Sequence, residues 1–153
     1  MSEITLEAIE AKQTELAALI AKFKADAPRV LKINGADITL VAGEYYAGEV
    51  LNHDGSLKHR LVFVSISDES SFDFDDAQTY ASENGGAAPD VQEAALLIAN
   101  CRQHLPTSGF FWTSKRHETD ASYAWDCSLI SGGTGYGGTS ARGRAVVVRR
   151  LIP

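Results

Sequence analysis

The sequence predicts an α+β protein, in which a coiled-coil-like N-terminal helix precedes a domain of two helices packed on small antiparallel sheets. Apolar residues near the N-terminus recur every three or four positions, which is typical of a helix. From Val30 onward the apolar spacing changes to two, which is typical of strands. With 153 residues, the chain is long enough for one domain with a substantial core.

The first helix is predicted over residues 3–25, and Asp26-Ala27-Pro28 predicts its end. Its apolar residues follow a seven-residue repeat, with one polar residue at an a-type position: Leu6, Ile9, Gln13, Leu16, Ile20 and Phe23. We interpret residues 1–27 as an oligomerisation helix that forms a short parallel coiled coil, taken as a homotrimer. The alternative is an amphipathic helix that packs on its own domain.

Residues 28–153 form the second predicted domain, which opens with two hairpins. Segments 30–33 and 37–41 flank Asn34-Gly35, a dipeptide that favours tight hairpin turns. A second hairpin is predicted to pair the segments at 44–51 and 57–65. The elements that follow are two helices at 74–84 and 90–104, and strands at 110–113, 123–130 and 145–151.

Charge is distributed unevenly along the chain. Twenty acidic and fourteen basic residues give a net charge of −6, which disfavours nucleic acid and anionic membranes as partners. Residues 61–101 carry eight acids and no base, whereas residues 102–153 carry three acids and seven bases. We expect the basic third to face a partner. No apolar stretch approaches the roughly 18–20 residues that span a bilayer, so no membrane insertion is predicted.

No motif predicts catalysis, and the protein is expected not to be an enzyme. Gly133-Thr134-Gly135-Tyr136-Gly137-Gly138 matches a dinucleotide-binding fingerprint, but a predicted strand follows it where that motif requires a helix, so no cofactor is expected. The four histidines lack metal-ligand spacing and are interpreted as surface or turn residues, and no metal is expected. Cys101 and Cys127 are expected to be reduced and buried, with a disulfide between them as the alternative.

From residue 43 onward the order of short motifs resembles a lectin-like domain family that is common in phages and prophages. The motifs are Gly43-Glu44-Tyr45-Tyr46-Ala47-Gly48, Phe74-Asp75-Asp76-Ala77, Gly85-Gly86, Pro89-Asp90-Val91-Gln92-Glu93-Ala94, Phe111-Trp112-Thr113-Ser114, Tyr123-Ala124-Trp125 and Arg144-Ala145-Val146-Val147-Val148-Arg149-Arg150. This family is related to the C-terminal domain of collagen-like adhesins. The chain departs from it at Phe74, where the family has tryptophan, and lacks the Glu-Pro-Asn calcium motif of lectins.

The resemblance implies a C-type-lectin-like fold and a function in recognition. It predicts a phage tail-associated receptor-binding protein, made in the bacterial host cytoplasm and located in the virion. Its partners would be other tail or virion proteins and a host-surface sugar, pilus or outer-membrane protein. The alternative is a structural virion component, such as a baseplate, collar or decoration subunit, that binds other particle proteins.

Two predicted loops, 115–120 and 131–142, are the candidate ligand-binding surfaces, because loops on a rigid scaffold commonly carry recognition. The candidate ligand-binding residues are Arg116, His117, Glu118, Thr134, Tyr136, Thr139 and Arg142. Tyr136 between glycines offers contact area at low entropic cost. The alternative for the second loop is a solvated connection without a ligand. Trp112 and Trp125 are interpreted as core anchors rather than as sugar platforms.

Overall fold

The computed structural model describes residues 3–33 and 35–153. It confirms the predicted α+β class, with three α-helices and three small antiparallel sheets in this part of the chain. The chain divides into two compact units, Met1–Ala42 and Gly43–Pro153. Among the residues described, no helix has the length and apolar character needed to cross a membrane.

The first unit contains one long helix and one hairpin. Helix α1 spans Leu6–Asp26 and begins at Thr5, whose side chain accepts a hydrogen bond from the backbone N–H of Ala8 at 3.1 Å. Strands β1 (Arg29–Ile33) and β2 (Ala36–Leu40) pair in antiparallel fashion. The hairpin is therefore confirmed, although Asn34 of its predicted turn lies outside the described residues.

Helix α1 leaves its apolar residues exposed to solvent. None of its residues is buried, and Leu6, Leu16 and Phe23 are 71%, 58% and 76% exposed. Leu19 widens the apolar stripe and is also exposed. The helix predicted from the heptad spacing is present, and its apolar face is available for contact.

The second unit is built on two three-stranded sheets, both antiparallel. In the first sheet β4 lies between β3 and β8, and in the second β6 lies between β5 and β7. The strands are β3 (Tyr45–Leu51), β4 (Leu57–Ile66), β5 (Phe110–Arg116), β6 (Tyr123–Ser128), β7 (Thr134–Gly138) and β8 (Val146–Leu151).

Two helices connect the sheets, and their starts follow from side-chain caps. Helix α2 (Phe74–Glu83) begins after Asp73, whose carboxylate accepts a hydrogen bond from a backbone N–H in the first turn. Helix α3 (Val91–Asn100) begins with a capping box between Asp90 and Glu93. The helix predicted over 90–104 is shorter than expected, because the backbone leaves the helical conformation at Cys101 and continues as a short 3₁₀ turn.

The core lies where α3 packs on β3, β5 and β6, and where α2 packs on β5 and β8. Its largest cluster is apolar and fully enclosed, and includes Leu61, Phe63, Leu97, Phe111, Leu129, Val146 and Val148. Trp112 is fully buried in a second cluster with Phe74, and its indole N–H donates to the carbonyl of Phe72 at 3.0 Å. Trp112 is therefore the core anchor that was predicted.

The glycine-rich segment 131–142 differs from the prediction, because its centre is strand β7 rather than a loop. Tyr136 pairs with Trp125 across the β6–β7 ladder, and Gly135 and Gly137 pair with Asp126 and Ala124. The cross-strand hydrogen bonds to β6 order a segment whose glycine content alone predicts flexibility.

Candidate functional site

Four aromatic rings gather on the β6–β7 ladder and the connection before it. We call His117, Tyr123, Trp125 and Tyr136 the aromatic patch. Tyr136 is its centre, with ring centroids 4.6 Å from His117, 5.5 Å from Trp125 and 6.2 Å from Tyr123, all in edge-to-face geometry. His117 and Trp125 are nearly parallel, 6.3 Å apart. The rings contact one another closely, so the patch is a packed surface.

Strand register explains why these rings meet. Tyr123 and Trp125 are two residues apart on β6 and therefore point to the same side of the sheet. Tyr136 lies directly opposite Trp125 on β7. The backbone N–H of His117 donates to the carbonyl of Tyr123 at 2.9 Å, which closes the β5–β6 connection over the same side. The patch is thus positioned by backbone pairing.

The two tyrosines of the patch are more exposed to solvent than its tryptophan. Tyr136 is 57% and Tyr123 42% exposed, whereas Trp125 is partly buried. The indole nitrogen of Trp125 is sealed from solvent and has no hydrogen-bond acceptor in the described part of the chain. The core-anchor prediction is wrong for Trp125, because its position opposite Tyr136 places it in a surface cluster.

Two acidic residues, Glu118 and Asp120, follow His117 in the β5–β6 connection. The hydrogen bond from Lys115 at 2.9 Å lowers the pKa of Glu118 below its usual range. The pKa of Asp120 is lowered first by the hydroxyl of Ser122 and then by its backbone N–H. Coulombic attraction to His117 contributes to lowering the pKa of both acids, so both lie within electrostatic range of the patch.

Arg116, a predicted ligand-binding residue, forms its contacts with other residues of the chain. Its guanidinium donates to Asp75 at 2.7 Å and to the carbonyl of Ala121 at 3.0 Å. It also lies 4.8 Å from the centroid of the Phe74 ring. These contacts hold the side chain against the start of α2.

Asp126 follows Trp125 and points to the other side of the sheet. Its carboxylate oxygens lie against the two glycines that flank Tyr136, 3.2 Å from the position of a Cβ at Gly137 and 4.0 Å from that at Gly135. Burial raises the pKa of Asp126. No hydrogen-bond donor or cation reaches this carboxylate from the residues described.

The other predicted site residues do not all join the patch. Thr134 is exposed at the start of β7, where it pairs with Cys127. The backbone of Thr139 accepts a hydrogen bond from the N–H of Phe74 at 3.0 Å, and Arg142 donates to the carbonyl of Ser71 at 2.9 Å. Of the seven predicted residues, the structure brings His117 and Tyr136 into direct ring contact.

The basic third of the chain is not a free cationic surface, because its lysine and arginine side chains are paired within the chain. Arg149 forms a bidentate pair with Glu44 at 2.9 and 3.0 Å, and the other basic side chains of residues 102–153 also bind acids or carbonyls within the chain. These contacts join Arg102 to the carbonyls of Leu129 and Ile130, Arg142 to that of Ser71, Arg144 to those of Ser67 and Asp68, Lys115 to Glu118, Arg116 to Asp75, and Arg150 to Glu93.

Glu93 is the centre of a buried ionic network that the sequence did not indicate. It is fully buried and accepts two hydrogen bonds from Arg150, at 2.6 and 2.7 Å, one from His59 at 2.8 Å and one from the backbone of Asp90 at 2.8 Å. Burial acts to raise its pKa, but these donors outweigh it and hold the pKa of Glu93 below the usual range. His59 is 3% exposed, so its interpretation as a surface or turn residue is wrong.

The two cysteines are free and fully buried. Burial raises the pKa of Cys101 to about 11, and that of Cys127 to about 11. Both thiols are therefore protonated at neutral pH. Among the residues described, no three histidine, cysteine or acidic side chains come together as a metal site.

Two residues of the patch, Tyr123 and Trp125, were missed as candidate site residues. The available signal was the alternation of Thr134, Gly135, Tyr136 and Gly137, which has the period of a strand. Had it been interpreted as a strand pairing with β6, the rings on both strands would have been expected to meet. Compared with known proteins, the chain matches no family model and no curated protein.

Proposed function

We propose that the chain is a non-enzymatic recognition protein of a phage tail, which displays a lectin-like domain on an oligomer and binds a receptor on the host cell. The observation that carries the proposal is the aromatic patch. Exposed tyrosines on a rigid scaffold give a large contact area at low conformational cost, which is the chemistry of binding surfaces. The resemblance to phage lectin-like domains supplies the biological setting.

Helix α1 supports the oligomeric part of the proposal. Its apolar stripe is exposed along the whole helix. Copies of this stripe bury one another in a coiled coil, with Gln13 as the polar a-type residue that fixes register at some cost in stability. Several copies of the patch on one assembly convert weak single contacts into avid attachment. The protein would be assembled in the host cytoplasm and carried in the virion.

The test is binding of the full-length protein to intact host cells. We expect saturable binding at micromolar protein, and loss of most of it for Tyr136→Ala, because this substitution removes the central ring of the patch. Ile130→Ala is the matched control, since Ile130 is a large apolar residue that is 70% exposed outside the patch. Absence of cell binding by the unaltered protein, with binding to purified virion proteins, would favour the structural virion component instead.

A further inference from the structure

The cations closest in sequence to the aromatic patch are already neutralised. Lys115 pairs with Glu118 at 2.9 Å. Arg116 pairs with Asp75 at 2.7 Å and lies over Phe74. Lys115 thus neutralises Glu118, and neither cation forms an ion pair with Asp120 or Asp126 or is free to attract an anionic ligand.

Two acids near the patch, Asp120 and Asp126, form no ion pair with a lysine or arginine in the described part of the chain. Asp120 accepts hydrogen bonds from the backbone N–H and the hydroxyl of Ser122, at 3.0 and 2.6 Å, and from no cationic group. The carboxylate of Asp126 lies under the β7 glycines that flank Tyr136, on the other side of the sheet. Asp120 and Asp126 therefore place near the patch two acidic side chains that no lysine or arginine among the described residues neutralises.

The aromatic rings also contribute negative electrostatic potential to the surface of the patch. The faces of tyrosine and tryptophan rings are negative because of their quadrupoles, and they attract ammonium and guanidinium groups placed over them. A neutral ligand gains no charge–charge attraction from the nearby carboxylates, and an anionic ligand is repelled by them. Charge complementarity thus selects a cation, in keeping with the net charge of −6 on the whole chain.

We propose that the aromatic patch binds lysine and arginine side chains of a basic segment on a partner protein. The exposed rings of Tyr136 and Tyr123 and the partly exposed ring of Trp125 form the platform for the cation, and Asp120 and Asp126 supply the attracting charge. This proposal rests on the proposed recognition function, and it identifies the receptor surface as basic protein rather than neutral glycan.

The first test uses the protein's own fluorescence. The chain has two tryptophans, and Trp112 is fully buried, so external quenchers report on Trp125. Relative to free N-acetyltryptophanamide, we expect the ratio of caesium to iodide quenching to rise about twofold or more, because the local potential attracts cations and repels anions. In Asp120→Asn with Asp126→Asn the ratio should fall to that of the free compound. A ratio in the unaltered protein equal to or below that reference would overturn the proposal.

The second test measures binding of a lysine hexapeptide to the full-length protein by calorimetry. We expect Tyr136→Ala to weaken binding about fivefold, and Tyr136→Phe to keep it within about twofold, since the cation–π contact depends on the ring. Ile130→Ala should bind like the unaltered protein. Equal binding of the fully acetylated peptide, or binding of a neutral oligosaccharide with none of the lysine peptide, would overturn the proposal.

The two proposals fail in different ways. If lysine-peptide binding and the quenching asymmetry are found but host-cell binding is not, the ligand class stands and host recognition fails. If host-cell binding depends on Tyr136 but the quenching ratio equals that of the free compound, host recognition stands and the cationic ligand class fails.

Discussion

The stripe of α1 and the aromatic patch both leave large apolar side chains in water, but they differ in what lies beneath them. No residue of α1 is buried, so nothing in the described chain holds this helix through its side chains. The patch lies partly on β6, and on this strand the side chains of Ala124 and Cys127 are completely buried in the core. The comparison teaches that tertiary packing orders the patch before any ligand arrives, whereas the side chains of α1 gain no such packing in the described part of the chain.

Helix α1 and strand β6 differ in where their stability comes from. Helix α1 has 21 residues and buries none of them, and most helical stability in proteins comes from packing of an apolar face. A strand between two others, with a core on its buried residues, gains its stability from tertiary packing. Variants that damage the scaffold should therefore destabilise the second unit, and variants in the patch should affect binding with little change in stability.

The largest effect on the scaffold is expected from Glu93→Gln. The substitution removes the charge of a buried carboxylate that accepts hydrogen bonds from the buried His59 and the partly exposed Arg150, and losing such a charge at a buried site typically costs about 3 kcal/mol. Urea unfolding of the second unit, followed by fluorescence, should show this loss. The matched control is Glu83→Gln, on the exposed end of α2, which should change stability by less than about 0.5 kcal/mol. Equal stability of the two variants would contradict a structural role for the network.

Lowering the pH should produce the same loss of folding stability progressively. The pKa of Glu93 is lowered in the folded protein, so its ionised form stabilises the fold at pH values above its ordinary pKa of 4.5, and this contribution is lost as the pH falls through the lowered folded value. We expect the unfolding midpoint in urea to decrease on acidification below about pH 4.5. In Glu93→Gln this part of the pH dependence should be missing, and an unchanged profile would contradict the assignment.

A smaller loss is expected from Gly86→Ala. A Cβ at Gly86 would overlap the carbonyl oxygen of Val148, beside the backbone bridge from Ala87 to the same residue. The backbone must shift to accept it, which costs about 2 kcal/mol. Gly138→Ala is the control, because a Cβ there meets nothing within 4 Å. Thermal unfolding of the two variants should separate them clearly, and a Gly86→Ala protein as stable as Gly138→Ala would be inconsistent with the close packing of β8.

The smallest effect on stability is expected from Tyr136→Ala. Its side chain is more than half exposed, so its loss should change the free energy of unfolding by about 1 kcal/mol or less, much of it from ring contacts. Calorimetric unfolding would measure this. A loss of stability as large as that of Glu93→Gln would mean that the patch is part of the scaffold, and the distinction between patch and scaffold would then fail.

Sequence patterns identified the elements that are specified locally. The heptad spacing predicted α1, and Asp73 and Asp90 mark the helix starts that the structure caps with their side chains. Apolar alternation predicted the hairpin of β3 and β4. These features show in the pattern of neighbouring residues, so periodicity, turn signals and capping residues are sufficient to find them.

The candidate site was predicted only in part, because it depends on pairing between distant segments. Tyr136 was recognised as exposed, but its contact with Trp125 follows from the β6–β7 register, which no local pattern gives. Glu93 and Arg150 are 57 residues apart in the chain. The sequence shows an acidic segment and a basic segment, but it does not show which acid pairs with which base, so the charge split alone does not predict these contacts within the fold.

The central claim is that α1 assembles copies of the chain and so multiplies the patch. Light scattering on the full-length protein at micromolar concentration tests it directly. The account predicts a mass about three times the 16.5 kDa of one chain. It also predicts a single-chain mass for Leu16→Glu with Ile20→Glu, and an unchanged assembly for Ala18→Glu with Ala25→Glu outside the stripe. A mass of one chain for the unaltered protein would contradict the account.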